Sequence, residues 1–252
     1  MVLLRLIILP ILIIAYLTNI LCIQLLPVSK WLKLRIIGYV CMVYCRLYKN
    51  LQGIKTITNG TTVTTPKGVL LISNHLSYID IIIIAAEKPT LFITSLDLGS
   101  YFLPNLLARL SGTIYVDRSS FHTVKRDINT ISRALAKKFR VALFPEATSG
   151  NGSRPRAFKA SLLKAAIDSD CLIQPAALNY CRINRLPVSR QNRDLICWYG
   201  DMAFLPHLFK LMKLDSLQAK LTYCPAYTAH NMDRKTATQK AYDLIVKNYT
   251  PL

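Results

Sequence analysis

The first 28 residues are the most apolar part of the chain, and they predict a membrane anchor. From residue 6 to residue 28 the sequence is almost continuously apolar and carries no charged side chain. A helix of about 20 apolar residues matches the hydrocarbon core of a bilayer, at roughly 1.5 Å rise per residue. A cleaved signal peptide is the alternative, but the run is long for one and no small-residue cleavage pattern follows it. The pattern favours an uncleaved anchoring helical segment within residues 1–50.

The charges on either side of this segment predict its orientation. Only Arg5 precedes it, whereas a group of lysines and arginines follows it closely: Lys30, Lys33, Arg35, Arg46 and Lys49. Because positive charges that flank a membrane helix tend to stay on the cytoplasmic side, the rest of the chain is expected there.

A second apolar stretch, residues 36–47, is too short to cross a bilayer comfortably. It contains two tyrosines, and Trp31 lies shortly before it. These features fit an interfacial helix or half of a re-entrant hairpin as well as they fit an ordinary core helix. The sequence leaves these interpretations equal.

Beyond residue 50, short apolar runs alternate with stretches of helical periodicity, which predicts an α/β domain. Buried strands are predicted at residues 68–73, 91–94, 112–116, 141–144 and 172–178. Helices are predicted at residues 78–86, 101–110 and 160–167, with a basic amphipathic helix within 121–139. This alternation indicates a mixed, largely buried sheet flanked by helices. No linker or repeat interrupts the pattern, so residues 51–252 are expected to form one domain.

Composition narrows the environment and the partners. The chain has 252 residues, 52% of them hydrophobic, with a mean hydropathy of +0.30 and a formal net charge of +19. Such a charge predicts binding either to an anionic membrane surface or to nucleic acid, and the high hydrophobicity favours the membrane. The seven cysteines are scattered singly without a C-x-x-C pair, so neither a disulfide framework nor a metal site is expected.

The strongest chemical signal is the segment 73–80 (SNHLSYID), which follows a predicted buried strand. His75 and Asp80 are five positions apart, and on an ideal helix such positions diverge by roughly 140°. Contact between them therefore requires His75 to lie in the turn before a helix whose N-cap is Ser77. A carboxylate that holds one imidazole nitrogen leaves the other free as a general base. On these residues alone, a capping carboxylate near a buried structural histidine is the more ordinary explanation.

Three further segments follow in order: 112–118 (GTIYVDR), 144–148 (FPEAT) and 173–176 (IQPA). Together with residues 75–80 they resemble the four motifs of the glycerolipid acyltransferase family, which includes 1-acylglycerol-3-phosphate acyltransferase. The resemblance extends over roughly residues 68–180 and is weaker at 198–202.

The resemblance implies a reaction and a set of roles. His75 would take the proton of a lysolipid hydroxyl as it attacks a thioester carbonyl, and Asp80 would orient the imidazole. The donor would be acyl-CoA or acyl carrier protein, with no metal or cofactor, because a thiolate needs no strong acid to leave. The default acceptor is 1-acylglycerol-3-phosphate, which gives phosphatidic acid. The remaining substrate-binding positions that the resemblance implies are Asn74, Ser77, Arg118, Glu146, Thr148 and Pro175.

Two of these positions also have simpler explanations. Arginine suits a phosphate through its bidentate fork, yet Arg118 could be a solvated surface charge. Glu146 could be a strand-end carboxylate paired with a nearby arginine. The other histidines, His122, His207 and His230, lie in no motif and are expected to be surface or packing residues.

The third motif departs from the family pattern, which commonly reads FPEGTR. Ala147 stands in place of the glycine and Ser149 in place of the arginine, so a cation that pairs with phosphate is missing. Three cations that follow could substitute: Arg154, Arg156 and Lys159. Alternatively, the run FPEATSGNG resembles members that acylate other lysolipids, including lyso-ornithine lipid.

Two interpretations from other classes remain. A non-catalytic lipid-binding membrane protein on the same fold would be expected to lose His75 or Asp80, and both are present. A membrane-tethered nucleic-acid-binding protein would need a clustered basic motif, whereas the basic residues are spread along the chain. The sequence therefore predicts a membrane-bound acyltransferase with anionic lipids, but not nucleic acid, among its partners.

Overall fold

The centre of the molecule is a mixed sheet, seen in a computed structural model that describes residues 2–96, 102–117 and 121–252. Its nine strands within these residues are β1 Ile54–Asn59, β2 Val69–Ser73, β3 Leu91–Ser95, β4 Ile114–Val116, β5 Arg140–Leu143, β6 Leu172–Ile183, β7 Leu186–Pro187, β8 Leu217–Tyr223 and β9 Tyr227–Thr228. Seven of them lie in the order β1-β8-β6-β2-β5-β3-β4, and β7 and β9 pair with β6. From β6 to β4 the neighbours are parallel, so their carboxyl ends meet at one edge of the sheet.

Helices cover both faces of the sheet. They are α1 Val2–Leu25, α2 Lys30–Gln52, α3 Tyr78–Glu87, α4 Phe102–Leu110, α5 Phe121–Ala136, α6 Lys164–Ile167, α7 Phe204–Met212 and α8 Arg234–Lys247. One core cluster joins α3 and α7 to the sheet, through residues such as Ile83 and Leu211. The other joins α5, α6 and α8 to the opposite face, through residues such as Ile131 and Ile245. The observed architecture is the predicted α/β fold with a sheet buried between helical layers.

The predicted strands are all present, although their limits differ. β6 continues to Ile183, beyond the predicted end at residue 178. The predicted helix at 160–167 consists of a 3₁₀ turn, Ser161–Leu163, followed by α6. β1 and β8 were not predicted. β8 alternates strictly between buried and less buried residues, which is the pattern of a strand with one buried face, but its lysine and glutamine interrupt the apolar run.

The first two helices form an antiparallel hairpin. α1 is long and apolar enough to cross a membrane, with a mean hydropathy of 2.6, and only 17% of its most apolar window is buried. α2 packs against α1 on one side and α3 on the other. The stretch 36–47 is therefore the middle of a longer helix. It is buried at Ile37, whereas Tyr39 and Val43 are exposed, so it has features of both a core helix and an interfacial helix.

Arg5 attaches the beginning of α1 to the domain. Its side chain is 1% exposed, and its guanidinium donates to the main-chain carbonyls of Leu51 and Met212, both at 2.9 Å, and of Leu214. A longer contact of 3.4 Å reaches the carbonyl of Asp215. These carbonyls lie at the C-terminal ends of α2 and α7, where helices leave acceptors unpaired and carry partial negative charge. Arg5 thus caps two helices from a third.

The other end of the hairpin is also held. Arg35 donates to the carbonyl of Lys137 at 2.6 Å and lies 4.8 Å from the ring centre of Phe139. Trp31 packs on the same ring. Both ends of α2 therefore contact the α/β domain, and the hairpin lies along its side.

Candidate active site

His75 lies in the turn between β2 and α3, at the carboxyl edge of the parallel strands. Its Nδ1 is 2.8 Å from Oδ2 of Asp80, which is in the first turn of α3 and fully buried. The turn before the helix thus brings the two side chains together, as the position of Ser77 at the N-cap predicts.

Asp80 has a hydrogen-bond partner for each of its oxygens. Oδ2 also accepts from the main-chain nitrogens of Leu76 at 2.6 Å and Ser77 at 2.9 Å. Oδ1 accepts from the hydroxyl of Tyr180 at 2.6 Å. Tyr180 is buried in the middle of β6, and burial raises its pKa well above the ordinary value, so the phenol stays protonated as a donor. Three donors hold the carboxylate in place beside the imidazole.

The imidazole of His75 is held on its other sides by packing. Its ring stacks on Phe144, with ring centres 4.1 Å apart and planes 15° from parallel. The side chain is 19% exposed. Within the described part of the chain nothing bonds to Nε2. If Nδ1 carries the proton that is shared with Asp80, Nε2 is free to accept a proton from a substrate.

Glu146 lies three residues after the end of β5 and contacts the main chain of His75. Its Oε1 accepts from the main-chain nitrogen of His75 and its Oε2 from that of Arg156, both at 2.7 Å. The side chain is buried, and burial raises its pKa to about 7. Glu146 therefore joins the turn that carries His75 to the loop that follows the third motif.

The loop after Glu146 is tied to the site at two further points. The nitrogen of Gly150 donates to the carbonyl of His75 at 2.9 Å. The hydroxyl of Ser149 is buried and donates to the carbonyl of Trp198. Position 149 therefore faces the protein and offers nothing to an anion.

Comparison with known proteins decides the family. The family model described as Acyltransferase matches residues 55–179, which include His75, Asp80 and Glu146. Over these residues the chain matches this acyltransferase family. It is therefore an enzyme that transfers acyl groups, as the four motifs predict.

The acyltransferase has relatives with two kinds of acceptor in their names. It is 29% identical over 209 residues to the lyso-ornithine lipid O-acyltransferase of Rhizobium meliloti (strain 1021), covering 79% of this chain and 71% of the relative. It is 29% identical over 185 residues to the 1-acyl-sn-glycerol-3-phosphate acyltransferase of Neisseria gonorrhoeae, covering 71% and 69%.

A solved structure has the same fold. The crystal structure of the 1-acyl-sn-glycerophosphate (LPA) acyltransferase PlsC from Thermotoga maritima matches with a TM-score of 0.67, over 92% of this chain and 86% of that one. At 13% identity, this likeness establishes the fold of the acyltransferase and nothing about its substrate.

Three residues with a predicted substrate contact are buried in the acyltransferase. Asn74 is fully buried, and its amide donates to and accepts from the main chain of Leu178, at 2.9 and 2.8 Å. Pro175 is buried in β6 opposite Ile72 of β2. Ser77 is buried at the N-cap of α3. Asn74 and Ser77 have no accessible surface and Pro175 is buried, so a contact of any of the three with substrate stays a prediction. Asn74 instead fixes β6, and with it Tyr180, beside the turn of His75.

The other predicted contacts have different outcomes. Thr148 is exposed, two residues after Glu146. Glu146 itself is at the site but uses both oxygens on main-chain nitrogens. Arg118 lies outside the described residues. Of the histidines outside the motifs, His207 is a packing residue between Tyr78 and the carbonyl of Cys197, and the side chain of His122 lies outside the described part.

Two features of the site were missed by sequence reasoning. Tyr180 lies beyond the predicted end of its strand, so nothing marked it as a partner of Asp80. The bonds of Glu146 to main-chain nitrogens also have no sequence signature. A strand extended beyond residue 178 would have included Tyr180, but its partner would still have been unknown.

Ala147 has the backbone conformation of a glycine, with φ +69°. Holding an L-residue at this φ costs about 1–2 kcal/mol of stability. Alanine offsets only part of this cost, because its unfolded chain has less conformational freedom than that of glycine. We expect Ala147→Gly to raise the free energy of unfolding by about 1 kcal/mol, which thermal unfolding would measure. Ala136→Gly, in the last turn of α5, is the control and should lower it by up to about 1 kcal/mol. A loss of stability in both variants would contradict the assigned strain.

Glu146 should make stability depend on pH. The folded state raises its pKa to about 7, above the value of roughly 4.3 in an unfolded chain. Its stabilising contribution is therefore complete at low pH and is lost as the pH rises through 7. In Glu146→Gln this dependence is absent. The stability advantage of the wild type over this variant should shrink by on the order of 2 kcal/mol between pH 5 and pH 8, measured by denaturant unfolding. A constant difference would show that Glu146 does not titrate in this range.

Proposed function

We propose that this acyltransferase moves a fatty acyl group from a thioester donor to the free hydroxyl of a lysolipid at a membrane surface. The observation that carries the proposal is the bond between His75 and Asp80, at 2.8 Å, beside an imidazole nitrogen that has no partner in the described part of the chain. Such an arrangement suits the removal of a proton from a weakly acidic hydroxyl.

The transfer would proceed by direct attack. The acceptor oxygen bonds to the thioester carbonyl carbon while Nε2 of His75 takes the hydroxyl proton. Asp80 stabilises the imidazolium that forms and keeps the ring in its orientation. The tetrahedral intermediate then expels the thiolate as the carbon–sulfur bond breaks, and the imidazolium returns the proton to the sulfur. The products are the acylated lipid and a free thiol, and the reaction needs no metal or cofactor.

The first candidate acceptor is 1-acylglycerol-3-phosphate, which would give phosphatidic acid. Arg154, Arg156 and Lys159 support it, because they are exposed and form no ion pair with a described residue. They lie on the loop that Glu146 joins to the turn of His75. Arginines with free guanidinium groups suit a phosphate headgroup, and Arg118 would add a further cation.

The second candidate acceptor is lyso-ornithine lipid. It is favoured by Ser149, whose hydroxyl is bonded to the carbonyl of Trp198 at the position where the family commonly carries an arginine. A headgroup without a phosphate has less need of a cation there. The name of the Rhizobium meliloti relative points in the same direction.

The surface of the N-terminal hairpin supports membrane binding. Large apolar side chains are exposed on α1, as at Leu3, Ile14 and Leu25, and on α7 at Phe209. We propose that residues 1–50 anchor the enzyme and that residues 51–252 act on the cytoplasmic side, where anionic lipids would attract the net positive charge. The donor would be acyl-CoA or acyl carrier protein.

An acyl-transfer assay with the full chain in detergent tests this proposal. The acceptors are 1-acylglycerol-3-phosphate, lyso-ornithine lipid and lysophosphatidylcholine, each with acyl-CoA and with acyl carrier protein, and His75→Ala provides the background. Transfer that depends on His75 is expected with one of the first two acceptors, and which one decides between the candidates. A folded protein that transfers to none of the three would favour a non-catalytic lipid-binding protein instead.

A further inference from the structure

The solvent side of α5 carries a row of positive charge. Lys125, Arg126 and Arg133 are exposed along it, with only Asn129 and Thr130 between them. We call these five residues the α5 basic face. Lys125 and Arg133 are eight positions apart, so the row is about 12 Å long at the rise of a helix.

The acid on this helix does not neutralise the row. Asp127 is buried, and its Oδ2 accepts from the main-chain nitrogen of Asp117 at 2.7 Å. Its other oxygen pairs with the guanidinium of Arg126 at 3.4 Å, whereas Lys125 and Arg133 form no ion pair with a described residue. By contrast, α8 on the same side of the sheet is preceded by Asp233 and carries Asp243 among its lysines. The positive charge is therefore concentrated on α5 and does not simply reflect the net positive charge of the chain.

The α5 basic face lies apart from most of the exposed apolar surface. Most of the exposed large apolar residues are on α1, α2, α4 and α7, with single ones elsewhere, such as Ile81 of α3 and Val246 of α8. The side chains of α5 are described for residues 123–136, and no large apolar residue among them is exposed. α5 also covers the face of the sheet opposite α3 and α7. The described part of α5 thus combines exposed cations with no exposed large apolar residue.

The N-terminal half of α5 lies at the same edge of the sheet as His75. Asp127 bonds to Asp117, which follows the carboxyl end of β4 directly. Three strand spacings separate β4 from β2, whose carboxyl end precedes His75. At roughly 4.8 Å per spacing, the two strand ends are about 15 Å apart. A donor held at α5 by its protein part could reach His75 with a long flexible arm.

We propose that the α5 basic face docks an acidic acyl carrier protein, which presents the acyl thioester to His75. This inference rests on the proposed function and names its donor. A row of separate, exposed cations suits a protein surface with several carboxylates, since complementary charge speeds association and orients the partner. A membrane surface is disfavoured because no large apolar residue is exposed among the described side chains of α5.

Charge reversal on α5, assayed with both donors, tests the docking site. The variant is Lys125→Glu with Arg133→Glu in the full chain, and the matched control is Arg234→Glu with Lys235→Glu at the exposed start of α8. We expect the α5 variant to lose at least tenfold in kcat/KM with acyl carrier protein as the donor, and to lose the salt dependence of that value. Its kcat/KM with acyl-CoA and its melting temperature should stay within twofold and a few degrees of the wild type.

Other outcomes would overturn the docking site. Equal losses with both donors, accompanied by weaker binding to vesicles of anionic lipid, would assign α5 to the membrane. Equal losses in the α5 and α8 variants would show a general effect of net charge. A wild type that uses acyl-CoA alone, or an α5 variant without any change, would remove the carrier-protein site and leave acyl transfer to a lysolipid intact. Only a lack of acyl transfer by the wild type with both donors would also contradict the proposed function.

Discussion

Asp80→Asn should lower kcat by about 10²–10⁴-fold without unfolding the protein. The introduced amide has the shape of the carboxylate and can satisfy the same partners. Its oxygen can accept from His75, Leu76 and Ser77, and its NH₂ group can donate to the hydroxyl oxygen of Tyr180. The change therefore removes the negative charge that would stabilise the imidazolium and leaves most of the hydrogen bonds in place.

Tyr180→Phe is the control for Asp80→Asn. Tyr180→Phe keeps the charge on Asp80 and removes one donor to it, so we expect a loss in kcat of about tenfold or less. Both variants are measured at saturating acceptor, with thermal unfolding to confirm that the fold is kept. Asp80→Asn with more than a tenth of the wild-type kcat would make Asp80 a structural cap of α3 rather than part of the catalytic pair.

Arg5→Met should lower the free energy of unfolding by about 3–5 kcal/mol. Methionine fills much of the same space, but the carbonyls of Met212 and Leu214, which are buried, and of Leu51, which is partly buried, lose their donor. Each buried acceptor without a partner costs about 1–3 kcal/mol. Thermal unfolding in detergent should show a decrease of about 10 °C in melting temperature for a chain of this size.

Arg35→Met is the matched control for this prediction. Arg35 also belongs to the N-terminal hairpin and donates to a main-chain carbonyl, that of Lys137, but at an exposed site. Water can replace the lost donor there, so we expect a decrease of less than about 1 kcal/mol. Similar effects of the two substitutions would mean that the bonds of Arg5 do not hold α1 to the domain.

The predictable part of the fold is the part that is buried on both sides. The strands that became β2, β3, β5 and β6 are continuous apolar runs, because a parallel strand between helical layers has no solvent side. β1 and β8 lie at one end of the sheet, where polar residues such as Lys55 and Lys220 alternate with apolar ones. α1 could be predicted from its hydropathy. The charge of Arg5 at the start of this helix, however, indicates from sequence only that the helix begins at the water side of a membrane. That this charge is buried follows from contacts about 200 residues away along the chain.

In the candidate site, the contacts within one local turn could be predicted and those between distant segments could not. The contact of His75 with Asp80 could be predicted because both lie in one local turn, whose geometry follows from the N-cap position. The partners that come from other strands could not, because Tyr180 is 100 residues from Asp80 and Glu146 is 71 residues from His75. The resemblance to the family also implied a role of Asn74 toward substrate, whereas its amide bonds to the main chain of Leu178 in β6.

The attachment of α2 at both of its ends has a consequence for how the enzyme would meet its acceptor. α1 offers its exposed apolar side to lipid, because α2 packs along its other side. If the proposed anchoring holds the enzyme against one leaflet, the enzyme meets its acceptor at a surface concentration and not at a bulk concentration. Its rate would then follow the mole fraction of lysolipid in the surface, and dilution of vesicles in buffer at constant composition would leave the rate per bound enzyme unchanged.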